Sequence, residues 1–218
     1  MTVLQPAAKR IVSCGLVPIF RFQKLDQAVK VAEALLSAGI GIVEFPMTSP
    51  LALKAIEKVK ETWGDSILVG AGTVLDAETA RTCMLAGAEF IVTPSVKPEI
   101  AAVCKRYDAA LCMGALTPTE ALSAWEAGSD FVKIFPCGTI GGVDYIKQLR
   151  VPFPHIRMIP VGGVTFENAA DFIRAGSVAL GVGNGLIDPK AVAAMRYDTI
   201  ETNASRFLEI IKTARSND

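Results

Sequence analysis

A lysine stands inside an apolar run, Phe131-Val132-Lys133-Ile134-Phe135, which Pro136 closes. A run of this length and composition reads as a short buried strand. Alternation puts Phe131, Lys133 and Phe135 on one face, and Val132 and Ile134 on the other. The second face suits packing against helices, so the lysine points inward. Burial disfavours an ammonium ion and, when complete, lowers a lysine pKa by about 3–5 units. The neutral amine is a nucleophile that condenses with ketones. Glu44, in "GIVEFP", is the second candidate. A carboxylate across from that amine carries protons, so the pair offers Schiff-base formation with acid–base catalysis. The same pair also reads as a buried ion pair, in which Glu44 raises the lysine pKa and opposes its nucleophilicity. The sequence leaves both terms open.

Eight short apolar segments supply the frame for these groups: residues 16–20, 41–46, 67–72, 90–94, 110–115, 131–136, 157–163 and 178–183. Each has strand length, and six of the eight end in Gly or Pro. Amphipathic helical patterns alternate with them. "LDQAVKVAEALLSAG" ends in Gly, "TPTEALSAWEAG" opens with a capping-box-like Thr-x-x-Glu, and "TFENAADFIRAG" repeats that form. "AAKRIVSCG" reads as a small helix closing the bottom before the first strand. The segment from about Asp188 to Asp218 reads as helical and polar. Alternating strands and helices allow a doubly wound sheet or a closed (β/α)8 TIM barrel, both α/β. The count of eight, and the absence of Gly-x-Gly-x-x-Gly after the first strand, favour the barrel. The expected organisation is a single compact barrel domain over 1–218, with an N-terminal capping helix and a C-terminal helix.

Barrel chemistry sits at the C-terminal ends of the strands. The polar residues fall there: Arg21, Glu44, Thr73 and Lys133, with Gly162 and Gly163 after the seventh strand and Gly183 and Asn184 after the eighth. Each has a bland reading as a turn, a cap or a solvated strand end. Together they point to a site at one mouth. Loops after strands seven and eight form the usual phosphate site of such barrels, and glycine lets backbone N–H groups approach an anion.

Composition narrows the classes further. The chain has 218 residues, 51% hydrophobic, with 22 basic and 22 acidic residues. Charge balance without like-charge blocks argues against a nucleic-acid or membrane surface. No signal-peptide core or bilayer-length apolar run is present in the sequence. Five scattered cysteines without a C-x-x-C pair fit a reduced, cytoplasmic setting. Cys137 reads as buried filler. A single histidine, His155, reads as a loop residue, so no metal site is expected.

The motifs "VPIFR", "IVEFPMTSP", "GAGTVL", "DFVKIFP", "VGGVT" and "GVGNG" run in order from about Leu16 to Leu186. They resemble the signatures of the 2-keto-3-deoxy-6-phosphogluconate (KDPG) aldolases, whose relatives cleave 2-keto-3-deoxy-6-phosphogalactonate (KDPGal) and 4-hydroxy-2-oxoglutarate (KHG). The resemblance implies a class I aldolase on a (β/α)8 barrel, a homotrimer without cofactor. It implies cleavage to pyruvate and glyceraldehyde 3-phosphate in Entner-Doudoroff-type carbohydrate metabolism. By the same resemblance Lys133 is the Schiff-base lysine and Glu44 the general acid/base. Arg21, Thr48, Thr73, Pro94 and Phe135 are substrate-binding positions, and Gly162, Gly163, Gly183 and Asn184 bind phosphate. Two positions depart from the pattern. Asn184 stands where the family often has serine. "EFPMTSP" replaces Glu-x-Thr-x-Arg-Thr-Pro, so Thr48 stands where the gluconate-type pattern has a carboxylate-holding arginine. The galactonate-type branch also has a neutral polar residue there. A phosphate-binding isomerase or epimerase, and a non-catalytic phospho-ligand barrel with a structural Lys133–Glu44 pair, are the alternatives.

Overall fold

Proline and glycine punctuate this chain, and many of its elements begin or end at them. The computed structural model describes residues 4–216. The strands are β1 (Leu16–Pro18), β2 (Ile42–Pro46), β3 (Leu68–Gly72), β4 (Phe90–Val92), β5 (Ala110–Ala115), β6 (Phe131–Ile134), β7 (Met158–Pro160) and β8 (Leu180–Val182). Helix α1 (Pro6–Cys14) precedes β1. Then α2 (Leu25–Ser37), α3 (Ala52–Trp63), α4 (Ala77–Leu85), α5 (Pro98–Arg106), α6 (Pro118–Glu126), α7 (Gly142–Arg150) and α8 (Ala169–Arg174) alternate with the strands. Helices α9 (Pro189–Ala193) and α10 (Tyr197–Ser216) follow β8. Every strand lies within one of the eight expected segments.

All strand pairs are parallel, as crossover helices require. Strands β2 to β7 form one six-stranded sheet in sequence order, and β1 pairs with β8. The two sets meet at single bridges, Ile19 with Glu44 and Val161 with Gly181. Hydrogen bonds from Ile19 N to Val182 O and from Phe20 N to Glu44 O accompany them. The ladder is therefore thinner at these joins than the sequence suggested. Strands β1 and β7 end in Pro18 and Pro160, which have no N–H to donate.

The helices bury one stripe each against the sheets. In α2 it is Ala28, Val31, Ala32 and Leu35, at helical spacing. Thr117 caps α6 with the expected capping box: its hydroxyl accepts from Glu120 N, and the Glu120 carboxylate accepts from Thr117 N. Two expectations change. Thr165 does not cap α8; its N–H donates to Asn168 Oδ1, and Asn168 precedes the helix. The C-terminal part is two helices rather than one polar segment. Met195, at φ 56°, breaks the path, and α10 is amphipathic, burying Ile200, Ala204, Phe207, Ile211 and Ala214. Asn217 and Asp218 lie outside the described residues. Among the described residues, no helix is long and apolar enough to cross a membrane.

Candidate active site

Lys133 occupies β6 with Gly114 of β5 and Ile159 of β7 as register partners. The residue is only 6% exposed. Its ammonium lies 4.9 Å from the centroid of the Phe135 ring, within range of a cation–π contact. Glu44, on β2, is 2% exposed. Both side chains line a narrow cavity walled by Val17, Phe90, Val92, Cys112, Ile159 and Val161, with Ile11 of α1 also contributing. They are the two oppositely charged side chains of that lining. The space is no larger than one water needs.

No ion pair within 4.0 Å joins Glu44 and Lys133 among the described residues. The buried contact pair of the bland reading is therefore not formed. Burial pushes the Glu44 carboxyl above the usual glutamate range, and the positive charges of Lys133 and Arg21 oppose that rise. A carboxyl lifted in this way is better matched to both giving and taking a proton near neutral pH. Cys112 shares the cavity, and burial raises its thiol far beyond the physiological range. Burial likewise pushes Cys137 up to about 11. Both thiols are therefore protonated at neutral pH, and neither is poised as a nucleophile.

The remaining substrate-side candidates lie at or just beyond the strand ends. Thr73 follows β3 directly and has φ 56°, a left-handed backbone unusual for a β-branched residue. Pro94 follows β4, and its carbonyl group packs against the bare Cα of Gly114, beside the lysine strand. Phe135 stands between the Lys133 ammonium and Gly162: a Cβ on Gly162 would meet the Phe135 ring at 3.6 Å. Arg21 is exposed in the loop after β1. Thr48 is exposed in the turn after β2. Buried Ser49, beside it, accepts a hydrogen bond from Phe22 N at 3.3 Å. That bond ties the Thr48 turn to the loop that carries Arg21. The sequence reading missed Ser49, and no local pattern singles it out.

Gly162 and Gly163 adopt φ of 85° and 82°, which a non-glycine residue disfavours. They line an open depression of about 590 Å³ with Pro136, Gly138, Thr139 and Asn168. Gly138 N donates to Gly162 O at 2.8 Å, and Asn168 Nδ2 donates to Gly163 O at 2.8 Å. Gly183 and Asn184 lie on the adjoining turn after β8 and do not line that depression. The turns are neighbours, since a Cβ on Gly185 would stand 3.2 Å from Val164 O. Among the described residues, the N–H groups of Gly163, Gly183 and Asn184 find no protein acceptor, whereas Gly162 takes part in the bridge that joins β7 to β8. Such N–H groups suit an anion. Gly138 and Thr139 belong to the same surface but were not singled out from the sequence; the glycine-rich run "CGTIGG" after β6 was the available signal. His155 is exposed, its ring 5.9 Å from that of Trp125. No cluster of three or more His, Cys, Asp or Glu suited to a metal occurs among the described residues.

Comparison with known proteins adds an independent line. The family profile "Aldolase: KDPG and KHG aldolase" matches residues 8–203. The chain is 38% identical over 172 residues to the 2-dehydro-3-deoxy-6-phosphogalactonate aldolase of Escherichia coli K12, covering 78% of this chain and 83% of that protein. It is 29% identical over 195 residues to the 2-dehydro-3-deoxy-phosphogluconate aldolase of Treponema pallidum, covering 89% and 92%. A solved structure described as native KDPGal superimposes with a TM-score of 0.84 at 34% identity, covering 92% of this chain and 96% of that one.

Proposed function

The chain belongs to the KDPG and KHG aldolase family, and from that premise we propose that it is a Schiff-base aldolase cleaving a 2-keto-3-deoxy-6-phospho sugar acid. The products are pyruvate and glyceraldehyde 3-phosphate. The observation that carries the reading is the enclosure of Lys133 and Glu44 in one cavity without a contact ion pair. An amine locked against a carboxylate stays protonated, whereas an amine set apart from it is open to attack a ketone.

In this reading unprotonated Lys133 Nζ adds to the C2 carbonyl, giving a carbinolamine. Protonation of its hydroxyl by Glu44 releases water and leaves an iminium. Ionised Glu44 then takes the C4 hydroxyl proton. The C3–C4 electron pair passes into the iminium, which becomes an enamine, and glyceraldehyde 3-phosphate departs. Protonated Glu44 returns its proton to C3, and hydrolysis frees pyruvate and Lys133. The Glu44 carboxyl alternates between acid and base, a task helped by its burial-raised pKa. Unpaired N–H groups of Gly163, Gly183 and Asn184, with the left-handed turn at Gly162 that presents them, offer donors for the phosphate. Arg21, Thr73, Thr48, Pro94 and Phe135 border the acid and ketone end.

The architecture belongs to the same proposal. Two bridges and their flanking hydrogen bonds support reading β1–β8 as one closed (β/α)8 barrel within a single domain. The family resemblance supports a homotrimer, which sedimentation or light scattering measures. The function is tested by pyruvate and borohydride. One reduced pyruvate unit on Lys133, with pyruvate release from KDPG or KDPGal, is expected. An adduct elsewhere, or none under active conditions, sinks the Schiff-base reading. Isotope exchange without C–C cleavage would instead support an isomerase.

A further inference from the structure

Gly72, the last residue of β3, has a φ outside the left-handed region, so its backbone suits any L residue. What glycine supplies here is room. A Cβ at this position would stand 2.6 Å from Glu44 Cδ and 3.0 Å from Cγ, with Oε1 closer still. Glu44 leaves β2 opposite Gly70, its register partner. The side chain then extends along β3 until its carboxylate covers the bare Cα of Gly72. Gly70 is filled differently: the Phe90 ring lies over its Cα. The two glycines of "GAG" thus seat an aromatic ring and a carboxylate in succession. With Phe90 packed on Gly70, the carboxylate has Gly72 as its adjoining seat.

We propose that Gly72 is a positioning residue, whose bare Cα seats the Glu44 carboxylate in the cavity that Lys133 shares. Its catalytic consequence rests on the proposed aldolase reading, while the seat itself rests on geometry alone. A methyl group at position 72 and the carboxylate cannot occupy the same space. In Gly72→Ala the carboxylate is pushed off its seat, and a displacement of about 1 Å in an acid/base group costs about 100-fold in turnover. The substituted backbone is unstrained, so the effect runs through Glu44 and is absent where Glu44 is absent.

Two mutant cycles test this, one on stability and one on turnover. Gly72→Ala is expected to lower Tm in the wild-type background and to leave it nearly unchanged in Glu44→Ala, where the methyl enters vacated space. An equal loss in both backgrounds overturns the seat. If Gly72→Ala does not fold, folding of Gly72→Ala/Glu44→Ala supports the seat, and failure of both overturns it. In the second cycle Gly72→Ala is expected to lower kcat about 100-fold, with KM little changed, and to add no further loss to Glu44→Gln. Undiminished kcat in folded Gly72→Ala, or a further loss in Glu44→Gln of the same size as in wild type, overturns the positioning role. Wild-type turnover in Glu44→Gln removes the aldolase acid/base assignment and the catalytic half of this proposal, and the stability cycle still decides the seat.

Discussion

Glu44 and Lys133 enter one cavity from β2 and β6 and stop short of an ion pair. The separation matters chemically. At contact distance, mutual attraction would hold both groups charged. Set apart from the lysine in an apolar enclosure, the carboxyl is moved toward its neutral form by burial.

Glu44→Gln is expected to preserve the fold and to slow turnover by about 100- to 10,000-fold, the range for loss of a general acid/base. Steady-state release of pyruvate, alongside circular dichroism, measures both. Near-wild-type turnover in the folded variant would make the carboxylate structural.

The same residue sets a pH dependence of stability. Burial raises its folded pKa above the unfolded value. The native state then holds the proton more tightly, so its contribution is complete below the unfolded pKa and is lost as pH rises through the folded one. Glutamine has no such loss. The Tm advantage of Glu44→Gln over wild type should therefore grow as pH rises above the unfolded glutamate value of about 4. Thermal melts across that window check the sign, and other titrating groups common to both proteins largely cancel. A constant or shrinking advantage contradicts the burial argument.

Gly163→Ala combines strain with intrusion. Its φ is 82°, and a Cβ would stand 2.7 Å from Gly138 Cα. The left-handed backbone alone costs an L residue about 1–2 kcal/mol. Denaturant melts should show at least that loss. Kinetics should show a raised KM for the phosphorylated substrate, while exchange of pyruvate methyl protons, which needs no phosphate, changes little. An unchanged KM in a folded variant would detach this turn from phosphate binding.

Thr48 offers one neutral hydroxyl where an arginine would offer a bidentate clamp for carboxylate. On the proposed aldolase reading, phosphate then anchors the substrate more than the acid end does. The protein should prefer phosphorylated six-carbon substrates to KHG. Thr48→Arg should sharpen its choice between the gluconate and galactonate epimers. Comparing kcat/KM for the three substrates in both proteins measures this. A wild-type preference for KHG refutes the phosphate anchor, and unchanged epimer selectivity refutes the role of Thr48.

Much of this protein follows from residues close together in the chain. Alternation across Phe131–Phe135 turns Lys133 inward because strand side chains repeat every two residues. The Thr117–Glu120 cap and the eight punctuated segments are equally local, since caps and turns depend on a few adjacent dihedrals. Tertiary structure decided the rest. Whether Lys133 and Glu44 touch depends on how β2 and β6 face across the interior, a distance no local period encodes. Asn168, rather than Thr165, braces the turn before α8 because its amide reaches Gly163 O. Ser49 acquires its task only when Phe22 arrives beside it. In the sequence the glycines of "GAG" simply close the third strand segment. Folding gives Gly72 a steric meaning, because the carboxylate that needs its empty space arrives from another strand.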